Sequence, residues 1–166
     1  MNITYENYDS FFKSHFKCLP NKIDIQKNNM KLVEEDFKKV FHTREARNAK
    51  NVIYIWRCEK KIPRLKGKSN IIYIGQTSKS LFSRHGSARI KVNSKANKQK
   101  YNDIIEQYGP ITISYIELEA FGPIDTTTLL TAEGQCLWWY FKNHSEYPPI
   151  NYTKTKIRNE ELLMHV

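Results

Sequence analysis

Four side chains in this sequence have the types and spacing to act together on a phosphate group. Tyr54 and Tyr73 each lie in the middle of a β-branched and aromatic run, Val52-Ile53-Tyr54-Ile55-Trp56 and Ile71-Ile72-Tyr73-Ile74, the composition of strands. If the two runs pair as a hairpin with matching register, both phenols share one side of a sheet. A phenol can hydrogen-bond an attacking water or a phosphate oxygen, but an ordinary pKa of about 10 makes it a poor base at neutral pH without a neighbouring cation. Arg84, one turn after Leu81 in a predicted helix, offers that cation, since a guanidinium can hold two phosphoryl oxygens and stabilise charge growing on phosphorus. Glu133 stands at three-to-four residue spacing from Leu130, Leu137 and Phe141, which places a carboxylate on the apolar stripe of its helix. Charges are rarely buried unless paired or metal-bound, and Mg²⁺ often needs only one or two carboxylates plus a substrate phosphate. Each residue alone has an ordinary reading as well: a sheet aromatic, a surface arginine, a glutamate turned to solvent or paired with an arginine.

The elements that must position these groups can be read from periodicity. Tyr8, Phe11, Phe12 and Phe16 mark one amphipathic helical stretch and Leu32, Val33, Phe37, Val40 and Phe41 a second, joined by a loop over Lys22 to Asn29. The two strand runs follow, connected through a long basic loop from Glu59 to Asn70 that carries Pro63 and Gly67. Ser78 or Ser80 caps a helix running through Leu81, Arg84, His85, Ala88 and Ile90, and a second helix spans about Asn97 to Tyr108 before Gly109-Pro110. Ile111 to Leu118 alternates as a third strand, Gly122-Pro123 breaks it, and Asp125 or Thr126 caps a helix to about Asn143. The order predicts an α+β fold: a small, mainly antiparallel three-stranded sheet flanked by helices, behind a helical N-terminal extension.

At 166 residues the chain has the length of one compact domain with an extension. It contains no apolar run long enough to cross a bilayer and no secretory pattern at Met1 to Asp9, so no membrane partner is expected. Cys18, Cys58 and Cys136 are odd in number and lack metal-finger spacing, which argues against a disulfide framework or structural zinc and fits a reducing cytoplasm. The formal charge is +10 and is unevenly spread: residues 1–50 carry +3, residues 51–100 carry +12 with Glu59 as the only acid, and residues 101–166 carry −5. Such segregation points to a polyanionic partner held through counterion release.

The ordered set of Val52-Ile53-Tyr54, a hairpin, Tyr73-Ile74-Gly75, Arg84, Tyr101-Asn102-x-Ile104-Ile105-x-x-Tyr108-Gly109, Glu133-x-x-x-Leu137-Trp138-Trp139 and Asn151 resembles the GIY-YIG nuclease family over about residues 51 to 155. The resemblance implies the GIY-YIG fold for residues 51–155, with residues 1–50 as a recognition or oligomerisation extension and 156–166 as a tail. It implies Mg²⁺-dependent hydrolysis of DNA phosphodiesters, with Mn²⁺ able to substitute: Tyr54 orients or deprotonates water, Glu133 holds one metal ion, Arg84 stabilises the transition state and Tyr73 positions phosphate or water. Asn151 braces the site. His85 follows Arg84 directly, whereas many relatives carry a histidine about one turn further on, where this chain has Ala88. Gln76 follows Gly75 where several relatives have Lys or a small residue, so Lys79 is the remaining candidate base.

The short chain leaves little room for a separate recognition domain, which favours a type II restriction-type enzyme, bacterial or phage-encoded, cutting double-stranded DNA as a homodimer or higher oligomer. A phage, homing or repair nuclease is the nearest alternative. Arg57, Lys60, Lys61, Arg64, Lys66, Lys68, Lys79, Lys91, Lys95, Lys98 and Lys100 are candidate DNA contacts, most of them to phosphate. Two competing readings remain at this point. Asp36 with Glu59-Lys60-Lys61 loosely imitates an acidic-x-Lys nuclease site, although Asp36 lies in a predicted helix. A basic nucleic-acid-binding module without catalysis would explain the charge equally well.

Overall fold

A computed structural model describes residues 8–24, 30–86, 95–121 and 128–151. Its centre is one antiparallel sheet. In chain order the elements are α1 (Tyr8–Ser14), β1 (Lys17–Ile23), α2 (Met30–Phe41), α3 (Arg44–Asn48), β2 (Val52–Pro63), β3 (Lys68–Thr77), α4 (Leu81–His85), α5 (Lys95–Tyr108), β4 (Ile111–Glu117), a 3₁₀ turn (Leu118–Phe121) and α6 (Leu129–His144).

The sheet has four strands in the order β1-β4-β2-β3, not the three expected. The added strand comes from the N-terminal segment and takes in Lys22 and Ile23 at the start of the expected loop. Its burial explains the miss: Leu19 and Ile23 are its only buried residues, so the period-two alternation that marks a strand is absent, and its pairing with β4 is interrupted by a register shift between Cys18 and Lys22. Pro20 sits on this edge strand, where a missing amide proton is tolerated. The N-terminal segment is therefore helical only in part, and it supplies an edge of the sheet.

β2 is the central strand, and Val52 to Trp56 is buried without a break. That pattern follows from cover on both faces. On one face Tyr54, Trp56 and Ile113 pack with Phe37, Val40 and Phe41 of α2, Leu81 of α4 and Tyr101 and Ile105 of α5. On the other, Ile53, Ile55, Ile71, Ile74 and Ile116 pack with Phe11 and Phe12 of α1 and with Ala132, Cys136, Trp139 and Tyr140 of α6. Segment 8–48 thus contributes to both cores.

The connection between β2 and β3 is much shorter than the basic loop expected over Glu59 to Asn70. The strands run on to Pro63 and resume at Lys68, because Ile62 and Ser69 are still paired and buried. The turn that remains is closed by the Arg64 amide donating to the Gly67 carbonyl at 3.0 Å, and Gly67 takes a positive φ of 71° that few side chains tolerate. Ser80 caps α4, accepting from the Ser83 amide at 3.1 Å. Thr128 caps α6 by accepting from the Thr131 amide at 3.2 Å, whereas the expected caps Asp125 and Thr126, like Ala88 and Ile90, lie outside the described residues. The tail 156–166 also lies outside them. Among the described residues, no helix is long and apolar enough to cross a membrane.

Candidate active site

The register of β2 brings the two tyrosines together. Tyr54 stands opposite Gly75 and Trp56 opposite Tyr73, so residues two apart on one strand meet residues two apart on the other and all four occupy one face. The Tyr54 and Tyr73 rings lie 5.9 Å apart, and Trp56 meets Tyr73 edge-on at 5.6 Å. Gly75 makes this arrangement possible. A Cβ at that position would stand 2.6 Å from Tyr73 Cε1 and 2.8 Å from the Tyr54 hydroxyl, well inside van der Waals contact. The glycine is therefore a space requirement of the paired phenols.

Tyr54 itself is fully buried. Its hydroxyl meets no hydrogen-bond partner at bonding geometry, yet the Tyr73 phenol and the Arg84 guanidinium are near enough to act on its ionisation. Burial dominates and pushes the Tyr54 pKa up, Tyr73 adds to the rise and Arg84 opposes it without cancelling it. Tyr54 accordingly stays protonated at neutral pH. In that form it can donate a hydrogen bond or orient a water.

Arg84 is exposed, on a short helix anchored by the Leu81 amide donating to the Ala49 carbonyl at 3.1 Å. It lines an open cleft of about 310 Å³ with Gln76, Thr77, Ser78, Lys79 and Ser83. The lining side chains include two cations and no acid, so the cleft offers hydroxyls, an amide and positive charge to an anion. Lys79 is exposed within it. The contribution of Gln76, Thr77, Ser78 and Ser83 was not legible beforehand, because small polar residues after a strand read equally as a turn.

His85 points elsewhere. It is buried, stacked on Phe41 at 4.8 Å and set edge-on against Tyr54 at 4.9 Å and Trp56 at 5.5 Å. It can hold the Tyr54 ring in place, while Arg84 beside it faces the cleft. Asn151 acts on the backbone. Its side-chain amide accepts from the Ile74 amide at 2.9 Å and donates to the Ile74 carbonyl at 2.7 Å, so it satisfies the outward-facing groups of an edge strand between Tyr73 and Gly75. The Ile150 amide does the same for the Ile72 carbonyl at 2.9 Å.

Glu133 is buried, at 9% exposure, on α6. That helix packs chiefly on β3 and covers the face opposite Tyr54. The Tyr140 hydroxyl approaches the Ile71 carbonyl at 3.4 Å, and His144 bonds the Lys66 carbonyl at 3.0 Å, so α6 runs antiparallel to β3. Among the described residues no three potential ligands cluster to hold a metal.

The basic residues divide into two kinds. Arg57 is tied inside the fold, donating to Ser114 Oγ at 2.8 Å and to the Phe12 carbonyl. Arg64 pairs with Glu146 at 2.7 Å and donates to the Tyr147 carbonyl at 3.0 Å, which pins the hairpin turn to the segment after α6. Lys60, Lys61, Lys66, Lys68 and Lys100 are exposed. Lys95 and Lys98 fall on α5, and Lys91 lies outside the described residues. Asp36 spends its carboxylate on the Asp24 amide and on Lys39, and it sits on α2 rather than on a strand beside Glu59. Compared with protein-family models, curated proteins and solved structures, the chain finds no match in any of the three.

Proposed function

We propose that this chain is a divalent-metal-dependent DNA endonuclease of the GIY-YIG type, with restriction-type cleavage of double-stranded DNA as the leading role. The observation that carries this reading is the buried Tyr54 hydroxyl, which Gly75 leaves room for beside Tyr73 and Arg84 and which makes no hydrogen bond of good geometry. A buried polar group without a partner costs about 1–3 kcal/mol, a cost that fits a hydroxyl kept for a substrate oxygen or an attacking water. The cationic cleft next to it supports a phosphate as the group received.

In the mechanism this supports, the cleft seats the scissile phosphate and Arg84 holds its non-bridging oxygens, with more effect as charge develops. Tyr54, protonated, and Tyr73 orient water and phosphate from the sheet face. His85 holds the Tyr54 ring and Asn151 keeps the strand between Tyr73 and Gly75 straight. When bound at Glu133, Mg²⁺ or Mn²⁺ supplies Lewis-acid charge at the phosphate. Two sites on a homodimer would serve a palindromic duplex.

Cleavage of supercoiled plasmid tests the reading. The protein is expected to nick or linearise it in Mg²⁺ and not in EDTA, and Glu133→Gln is expected to lower the rate at least about a thousandfold while duplex binding in EDTA persists. A second reading, a basic nucleic-acid-binding module, is favoured by the complete burial of Tyr54. Duplex binding without any metal-dependent nicking would establish it instead.

A further inference from the structure

α6 turns one side to the sheet and leaves the other bare. Its exposed residues before Phe141 are Leu130, Thr131, Gly134, Gln135 and Trp138, none of them charged in a chain that is 27% charged. Leu130 is 73% exposed and Trp138 52%. The Trp138 ring is nevertheless braced, lying parallel to Phe141 at 6.1 Å with Lys142 Nζ 4.9 Å from its centre, so it has little freedom to lose on being covered. Midway between the two large side chains stands Gly134. A Cβ there would meet no other atom within 4 Å, and the position is inside the helix, where glycine is less stable than alanine. The fold of one chain has no use for this glycine. A bare stretch of backbone between two exposed apolar side chains is what the close approach of a second helix requires.

We infer that this face joins two copies of the chain about a two-fold axis at Gly134. Leu130, Gly134 and Trp138 are four residues apart and form one ridge of the helix. When two antiparallel copies cross at Gly134, the Leu130 of each meets the Trp138 of the other, because both stand about 6 Å along the helix from the axis. The face is thus complementary to itself. Its lack of charge matters as well. A formal charge of +10 makes two copies repel across most of their surfaces, whereas the one ionisable carboxylate between Leu129 and Phe141, Glu133, is buried. One helix face offers less than the ~800 Å² per partner of a standard interface, so the pair should be weak, with a Kd on the order of 10 µM. Arg84 stands on α4, which packs on the opposite face of the sheet through Leu81, so pairing through α6 leaves both clefts open. The inference does not depend on what the cleft binds.

Sedimentation velocity of the full chain between about 1 and 100 µM should show a single chain of 19.7 kDa giving way to a pair. Gly134→Leu, which the open space accommodates in one chain, should weaken pairing at least about tenfold without lowering the melting temperature. Leu130→Lys and Trp138→Glu should each stay single. An equimolar mixture of those two should recover the pair, since one contact becomes ammonium against carboxylate and the other remains leucine against tryptophan. Trp56 and Trp139 are 1% and 5% exposed, so acrylamide quenching of fluorescence reads Trp138, and it should fall as concentration rises. A single chain still at ~100 µM, variants that pair like the unaltered protein, or a mixture that pairs no better than either variant alone overturns the inference. So does weak quenching in a single chain at ~1 µM, which would show that the chain's own residues cover the face. Quenching that falls only when DNA is added also overturns it, and would make the face a nucleic-acid surface.

Discussion

The two ends of the β2–β3 hairpin are built from similar residues and put to opposite uses. At the turn, cations are tied in: Arg64 pairs with Glu146 and the Tyr147 carbonyl, and the Leu65 amide donates to Glu146 at 2.9 Å. At the open end, Arg84 stays exposed in a cleft, and the buried hydroxyl beside it lacks a partner. A structural end satisfies its polar groups internally, whereas an end meant for a ligand leaves some of them unspent. Positive charge alone does not distinguish the two.

Substitutions at each end should therefore break different things. Short of removing Glu133 or Arg84 itself, the largest effect is expected for Gly75→Ala, whose methyl group would collide with Tyr73 and the Tyr54 hydroxyl. Cleavage should fall about a hundredfold as the phenols are displaced, with a stability loss of about 1–3 kcal/mol from overpacking, read by single-turnover kinetics and urea denaturation. Equal activity would show that the phenols need not sit where they do.

Arg64→Ala should act on stability. Its side chain is 8% exposed and its partner Glu146 18%, so removing it leaves a largely desolvated carboxylate and should cost about 2–3 kcal/mol. The rate constant for a bound duplex should change far less than for Gly75→Ala. A rate loss matching that of Gly75→Ala would erase the contrast between the ends.

The smallest effect concerns pH. The Tyr54 pKa is raised in the folded state, so the folded protein holds that proton more tightly, and the stability it contributes is complete below pH about 10 and lost as pH rises above it. Tyr54→Phe should make the alkaline loss of stability shallower without abolishing it, because burial also raises Tyr101, Tyr140 and Tyr115. Denaturation midpoints between pH 8 and 11 would show this, and an unchanged slope would mean that Tyr54 is solvated.

The site was legible in the sequence where it depended on residue type and period. Tyr54, Tyr73 and Gly75 announce themselves as strand residues, but the face the two phenols share depends on the register, Tyr54 opposite Gly75 and Trp56 opposite Tyr73, which only the structure supplies. The positions of His85 and Glu133 needed tertiary structure. A five-residue helix gives no periodicity by which to separate an exposed Arg84 from a buried His85, and the apolar stripe that singled out Glu133 does not say which face of the sheet it covers. β1 was missed because its register shift and two buried residues leave no alternation to read. Arg57 and Arg64 look like any surface arginines until their partners, far away in sequence, are brought beside them.

The central claim is that the open end of the hairpin is an active centre served by Arg84. It is tested most directly by single-turnover cleavage of a saturating duplex in Mg²⁺ by the unaltered protein and by Arg84→Ala, whose exposed side chain leaves the core intact. A rate lower by about 10²–10³ in the variant, with an unchanged melting temperature, is the expected result. Equal rates in the two proteins would contradict it.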